Sequence, residues 1–216
     1  MENKESFYAR ITPFFSNSEE QKVRLAYYLA KYGHRAQVRK EKVDDKPIRY
    51  FEHVRRVSLI LMDEAKCMKS EMIIAALLHD SLEDTEDLTP ELLEFTFGPD
   101  VVSIVKKLSK VPKEGYLDRL YMCTDWRVLL VKACDRLDNL RSLMVEGTTR
   151  EFRKKQVKET TEKYFPLFDK MLVLTPPEHK LNVSSIRDSI LKSVERCATI
   201  VELLESAEVK PAEGII

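Results

Sequence analysis

Along most of this chain apolar residues recur every three or four positions, the spacing that lays one greasy stripe down the side of an α-helix. Between residues 19 and 37 the stripe is Val23, Ala26, Tyr27, Ala30 and Ala36, behind a Ser-x-Ser-Glu stretch suited to an N-cap. Residues 39 to 47 (RKEKVDDKP) have no apolar period and end in proline, so a charged loop is expected there. Tyr50, Val54, Val57 and Leu61 predict a second helix from about Ile48 to Glu64. A third begins near Ser70, carries Met72, Ile73, Ala75, Ala76, Leu77 and Leu78, and runs into LLHDSLEDT. It is apolar nearly all round, which predicts a central position.

Thr89-Pro90 marks another start, with threonine at the cap and proline at the first helical position, and Gly98 closes that helix before one from Pro99 to Lys110. After a loop at 111 to 116, a short helix is expected at Leu117 to Cys123. Asp125 can then cap a long helix whose buried face is Leu130, Ala133, Cys134, Leu137, Leu140 and Met144, with Gly147 as its stop. Helices at about Thr149 to Leu172 and Val183 to Glu205 complete an all-α reading with no strand or repeat.

Composition agrees with that class. Only 5 glycines occur in 216 residues, too few for the tight turns of β-meanders or for Gly-rich phosphate loops. One domain is expected at residues 19–206, with an extension at 1–18 and a tail at 207–216. Lys plus Arg and Asp plus Glu each total 36, so the formal charge is zero and nucleic-acid binding driven by net charge is not expected. No membrane-spanning run and no signal-peptide core are visible, and the four cysteines are scattered, which together predict a cytoplasmic protein with reduced thiols.

Candidate chemistry begins where the third helix, apolar until Leu78, ends abruptly in His79, Asp80, Glu83 and Asp84. If that helix continues, His79 and Glu83, and Asp80 and Asp84, lie one turn apart on neighbouring strips. A single acidic residue at a helix end is ordinarily a solvated charge, but that does not account for the adjacent His-Asp pair. His53 lies beside the apolar stripe of the second helix, where a lone histidine is ordinarily a packed core residue. Asp135 lies mid-helix beside Cys134, and a buried aspartate needs a cation or donors. Two histidines and two aspartates make an N₂O₂ set for a first-row divalent ion, with Mn²⁺ better matched than Mg²⁺ to the imidazoles.

The ordered segments HRAQVRK, RYFEH, AALLHDSLEDTEDLTPELLEFTFGPDV and VKACDRLDNLRSL resemble the hydrolase domain of RelA/SpoT-type alarmone enzymes, a branch of the HD-domain phosphohydrolases. The likeness runs from about residue 20 to residue 170 and includes KETTEKYFPL. It implies an HD-type helical bundle that binds one Mn²⁺ and removes the 3′-pyrophosphate of ppGpp or pppGpp, giving GDP or GTP and pyrophosphate. By resemblance His53, His79, Asp80 and Asp135 hold the metal and Glu83 and Asp84 activate water. Arg39 and Lys40 contact the base and Asn139 and Ser142 the ribose, with His34 and Arg35 adding to a local basic cluster. Asp135, Asn139 and Ser142 also fall at i, i+4 and i+7, so one helix can present them together.

The family's bifunctional members continue into a synthetase domain, whereas about 45 residues follow the matched region here, so synthesis is not expected. Two departures stand out. EKVDD follows Arg39-Lys40 where the family commonly has Ser-Gly or a short insert, and Asp138 stands where the family has His or Tyr, a carboxylate that must point away from a polyanionic nucleotide. The expected partner is a small nucleotide, not nucleic acid or a membrane, and oligomeric state is open. Alternatives are another HD nucleotide hydrolase (an antitoxin that clears adenosine alarmones, an NADPH phosphatase or a nucleotidase) or a non-catalytic alarmone-binding module.

Overall fold

A computed structural model describes residues 3–43, 46–145 and 148–208. Its organisation follows from two helices that have almost no solvated face. Helix α4 (Ser70–Leu78) buries every residue from Met72 to Leu78, and α9 (Trp126–Ser142) buries a run from Val128 to Asp138. Neither can lie at a surface, so other helices pack around both. Around α4 stand α2 (Asn17–Gly33), α3 (Phe51–Asp63) and α7 (Pro99–Leu108). Around α9 stand α3, α7, α11 (Phe165–Leu174) and α12 (Lys180–Glu208). The fold is all-α, as the periodicity predicts, and among the described residues no helix is long and apolar enough to cross a membrane.

Several expected boundaries have visible causes. Ser16 caps α2 through a reciprocal hydrogen-bond box with Glu19. Thr89 caps α6 (Pro90–Phe97), and Asp125 caps α9. Gly98 takes a positive φ of 91° between α6 and α7. The expected stop of α9, Gly147, lies outside the described residues, as do 209–216 of the expected tail. The 1–18 segment contains α1 (Lys4–Ile11), whose Phe7, Tyr8 and Ile11 are buried in the common core, with the Phe7 ring 5.0 Å from Tyr27.

Two expectations are corrected. The charged stretch at 39 to 47 is not a loop: β1 (Val38–Val43) pairs antiparallel with β2 (Lys46–Arg49), Val38 opposite Arg49 and Val43 opposite Lys46. Among its described residues none is fully buried: Val38, Lys46, Pro47 and Arg49 are exposed and Arg39 and Ile48 half-buried, so no strongly apolar alternation marks the strands. Pro47 is tolerated because both strands are edges. The third helix does not continue through LLHDSLEDT either. Helix α4 stops at Leu78, Asp80 adopts φ −99°, ψ −1°, and a separate turn, α5 (Ser81–Asp84), begins. That conformation lies outside the helical basin and is common at functional sites.

The remaining elements are α8 (Tyr116–Met122), α10 (Arg150–Glu159), a π-helical turn, Thr160–Tyr164, joining α10 to α11, and a 3₁₀ turn, Pro177–His179, before α12. The stretch expected as one helix from Thr149 is therefore continuous but carries a π-bulge just before Pro166.

Candidate metal centre

Three elements deliver the candidate ligands. His53 sits in the first turn of α3, His79 and Asp80 at the break between α4 and α5, and Asp135 in the middle of α9. All four are buried. The break matters here, because it lets two consecutive residues face one point: His79 Nε2 lies 3.0 Å from Asp80 Oδ2. His53 Nε2 lies 3.7 Å from the same oxygen and 3.2 Å from Asp135 Oδ1, and His79 Nε2 is 3.8 Å from that Asp135 oxygen. His53, His79 and Asp80 each offer a ligand atom, and these lie within 4.8 Å of one another.

The ring orientations suit a cation. His79 Nδ1 faces the Ala76 carbonyl oxygen at 2.8 Å, and a carbonyl can only accept, so Nδ1 carries the proton and Nε2 points inward. That Nε2 is buried and makes no hydrogen bond despite its closeness to Asp80. His53 Nδ1 faces Asp138 Oδ2 at 2.7 Å, which likewise leaves Nε2 for the centre. Burial opposes charge on His79, yet Asp80 and Asp135 outweigh it and push its pKa up to about 10. Asp80 and Asp135 are held well below the usual carboxylate range, the imidazoles and Lys132 overcoming the burial that opposes them. A field that keeps a proton on a buried imidazole favours a cation in the same place. The residues present therefore fit a divalent metal.

Asp135 is engaged at both oxygens: Asn139 Nδ2 donates to Oδ1 at 2.6 Å and Lys132 Nζ to Oδ2 at 2.7 Å. Lys132 is itself buried, its ammonium 5.6 Å from the Tyr116 ring centre and 5.7 Å from that of Tyr164, which the π-turn supplies. Tyr50 donates its hydroxyl to Asp80 Oδ2 at 2.7 Å. Lys110 Nζ lies 3.2 Å from Glu83 and 3.9 Å from Asp80. Glu83 is half-buried and Asp84 exposed, and both have pKa values raised above the ordinary range. The main cause is burial; for Glu83 Lys110 works against it, and the charge of Asp80 adds to it in both.

Beside the centre, a cleft of about 280 Å³ is lined by Val38, Arg39, Tyr50, Asn139, Ser142 and Phe152, among others. Arg39, carried by β1, donates to Asn139 Oδ1 at 2.9 Å and Ser142 Oγ at 3.3 Å, so three of the four expected substrate contacts meet. The side chain of Lys40 lies outside the described residues. Of the expected basic cluster, Arg39 and His34 share the Tyr50 ring, at 5.8 Å and 4.9 Å from its centre. Arg35 reaches Asp87 at 3.2 Å and covers the Tyr32 ring, while His34 is buried against Gln37 and Tyr50.

Sequence reasoning missed Tyr50, Lys110 and Lys132 as neighbours of the centre. Lys132 had a signal, a cation in the middle of a buried apolar run three residues before Asp135. Tyr50 was absorbed into an apolar stripe, and Lys110 is brought to Glu83 only by tertiary folding.

The HD domain family model matches residues 26–171. The chain is 38% identical over 179 residues to a guanosine-3′,5′-bis(diphosphate) 3′-pyrophosphohydrolase of Aquifex aeolicus, covering 79% of this chain but 23% of that protein. It thus spans about a quarter of the length of such bacterial relatives. The Drosophila melanogaster guanosine-3′,5′-bis(diphosphate) 3′-pyrophosphohydrolase MESH1 is 39% identical over 126 residues, 56% of this chain and 68% of that one. A solved structure described as a metazoan ortholog of SpoT that hydrolyzes ppGpp superposes with a TM-score of 0.58 at 30% identity, covering 80% of this chain and 95% of the other. The matched span includes every buried residue of the centre and both helices that carry the core, and the chain belongs to the HD-domain family, in the branch that holds these pyrophosphohydrolases.

Proposed function

We propose that this chain is a metal-dependent phosphohydrolase that removes the 3′-pyrophosphate of ppGpp or pppGpp, giving GDP or GTP and pyrophosphate. The observation that carries the reading is the convergence of His53, His79 and Asp80 within 4.8 Å beside two carboxylates of raised pKa. The names of the relatives support the substrate. The ion is Mn²⁺, held by His53, His79, Asp80 and Asp135, since mixed imidazole and carboxylate donors suit it better than Mg²⁺. Bound there, it supplies a Lewis acid that lowers the pKa of water and offsets charge on the attacked phosphate.

The chain's own residues do the rest. Water forms a bond to the phosphorus attached at the 3′ oxygen, the bond from that phosphorus to the 3′ oxygen breaks, and a proton passes from water to Glu83 or Asp84 and on to the leaving oxygen. Raised pKa values suit both carboxylates to that exchange near neutral pH. Lys110, already on Glu83, orients it and adds positive charge near the phosphates. Arg39 offers a planar face to the base, and Asn139 and Ser142, on the same helix as Asp135, hold the ribose at a fixed distance from the centre. A cytosolic setting belongs to the proposal and is supported by four free cysteines.

The test is product analysis on the metal-free chain reloaded with Mn²⁺, using ppGpp, pppGpp, ppApp, NADPH and nucleoside monophosphates. Fastest release of pyrophosphate from the guanosine alarmones is expected. Faster cleavage of any other member of the panel overturns the substrate assignment.

A further inference from the structure

We infer that Asp138 is a positioning residue for the metal centre, holding His53 in the tautomer that presents Nε2 inward and strengthening it as a donor. The inference rests on the metal-centre reading above and adds a residue that reading does not use. Asp138 sits one turn along α9 from Asp135, and its Oδ2 lies 2.7 Å from His53 Nδ1. A carboxylate only accepts, so the proton is on Nδ1 and the Nε2 lone pair is directed to the centre. The two imidazoles are thereby treated differently. His79 is oriented by the neutral carbonyl of Ala76 and His53 by a carboxylate, so only His53 has an anionic partner behind its ring.

The arrangement is built and not incidental. Asp138 is 3% exposed, and a bare carboxylate so buried would be costly. Arg56, one turn after His53 on α3 and 38% exposed, answers it with two hydrogen bonds, Nε to Oδ1 at 2.6 Å and Nη2 to Oδ2 at 3.0 Å. Arg56 and Asp138 both line a cleft of about 380 Å³ between α3 and α9, so the chain of groups runs from solvent through Arg56 and Asp138 to His53.

A tie between α3 and α9 would produce the same contacts without acting on the metal, and the two roles separate by sign. If Asp138 acts through its charge on His53, removing the charge weakens metal binding, whereas removing Arg56, which neutralises part of that charge, does not. If the trio is only a brace, losing either partner loosens the centre. The experiment measures Mn²⁺ affinity by chelator competition for the wild-type chain, Asp138→Ala, Asp138→Asn and Arg56→Gln, with the His53 tautomer read in the metal-free proteins from ¹⁵N shifts of the ring nitrogens.

Expected are a wild-type His53 with its proton on Nδ1 and Mn²⁺ binding weakened about 10- to 100-fold in Asp138→Ala. Asp138→Asn, which keeps the shape, weakens binding in the same direction, and Arg56→Gln binds at least as tightly as wild type, by up to about threefold. Affinity within twofold of wild type in both Asp138 variants overturns the inference, as does a loss in Arg56→Gln equal to that in the Asp138 variants. A wild-type chain that binds no Mn²⁺ overturns the metal-centre reading itself and this inference with it. Should Asp138→Ala fail to fold, the Asn and Arg56 variants still decide the sign.

Discussion

Lys132 gives the sharpest test of the electrostatics around Asp135. It is 6% exposed, its ammonium is 2.7 Å from Asp135 Oδ2, and aromatic rings flank it, so Lys132→Met swaps a buried cation for an apolar chain of similar length. Removing one partner of a buried pair leaves the other charge uncompensated and costs about 3 to 5 kcal/mol. For a chain of this length each kcal/mol moves the melting midpoint by about 2 to 4 °C, so the metal-free variant should melt about 6 to 20 °C below wild type. Mn²⁺ should then recover more of the variant than of the wild type, because the ion takes over the positive charge that Lys132 supplied to Asp135. At about a hundred times its Kd a ligand stabilises by about 2.7 kcal/mol, and each tenfold gain in affinity at fixed free ion adds about 1.4 kcal/mol. Calorimetric melts of chelator-stripped protein, with and without Mn²⁺, check both parts. A metal-free loss under about 1 kcal/mol, or an Mn²⁺-induced rise no larger than that of wild type, refutes the reasoning.

Glu83→Gln should keep Mn²⁺ affinity and lose about 10² to 10⁴ in turnover, and the acid limb of the wild-type kcat profile should lie above the ordinary glutamate range, in the direction of the raised pKa; turnover within twofold of wild type removes Glu83 as the base. Arg39→Lys should raise KM for ppGpp more than it lowers kcat, because stacking on the base is shared by ground and transition states; steady-state kinetics showing equal loss in both contradict it. His79 has a folded pKa raised to about 10 from an ordinary 6.5, so in metal-free protein its contribution is fully present below about pH 6.5 and fades as pH rises toward 10. Urea titrations of stripped protein at pH 6.5 and 9.5 should show that decline, and a stability independent of pH over this window rules it out.

Helices α4 and α9 were legible because each carries a long apolar run that only a central position can satisfy, and the caps at Ser16, Thr89 and Asp125 follow from local hydrogen bonding alone. The hairpin at 38–49 was not, since a strand pair rich in charged residues, with none of its described residues fully buried, leaves no clear apolar alternation in the sequence. The break at His79-Asp80 was equally hidden, because helical periodicity persists in the residues while the backbone departs from it. Ligand identities were readable from residue type and motif order, but their meeting depends on three helices packed through contacts distant in the chain. Asp138 shows the limit most clearly. Read by type it is a liability near a polyanionic nucleotide, yet its position three residues past Asp135 turns it toward His53 and Arg56.

The hairpin that carries Arg39 meets α9 through the hydrogen bonds of Arg39 to Asn139 and Ser142, and exposes Val38, Lys46, Pro47 and Arg49 to solvent. The metal-ligand candidates hang instead from α3, the end of α4 and α9, whose described residues are largely buried in the core. These two halves of the site belong to different units of local opening: amides of β1 and β2 should exchange with solvent long before those of α4 and α9. Substitutions in β1 and β2 can therefore redirect which base is accepted while the hydrolytic machinery keeps its melting temperature, so selectivity can drift between related proteins without loss of the fold.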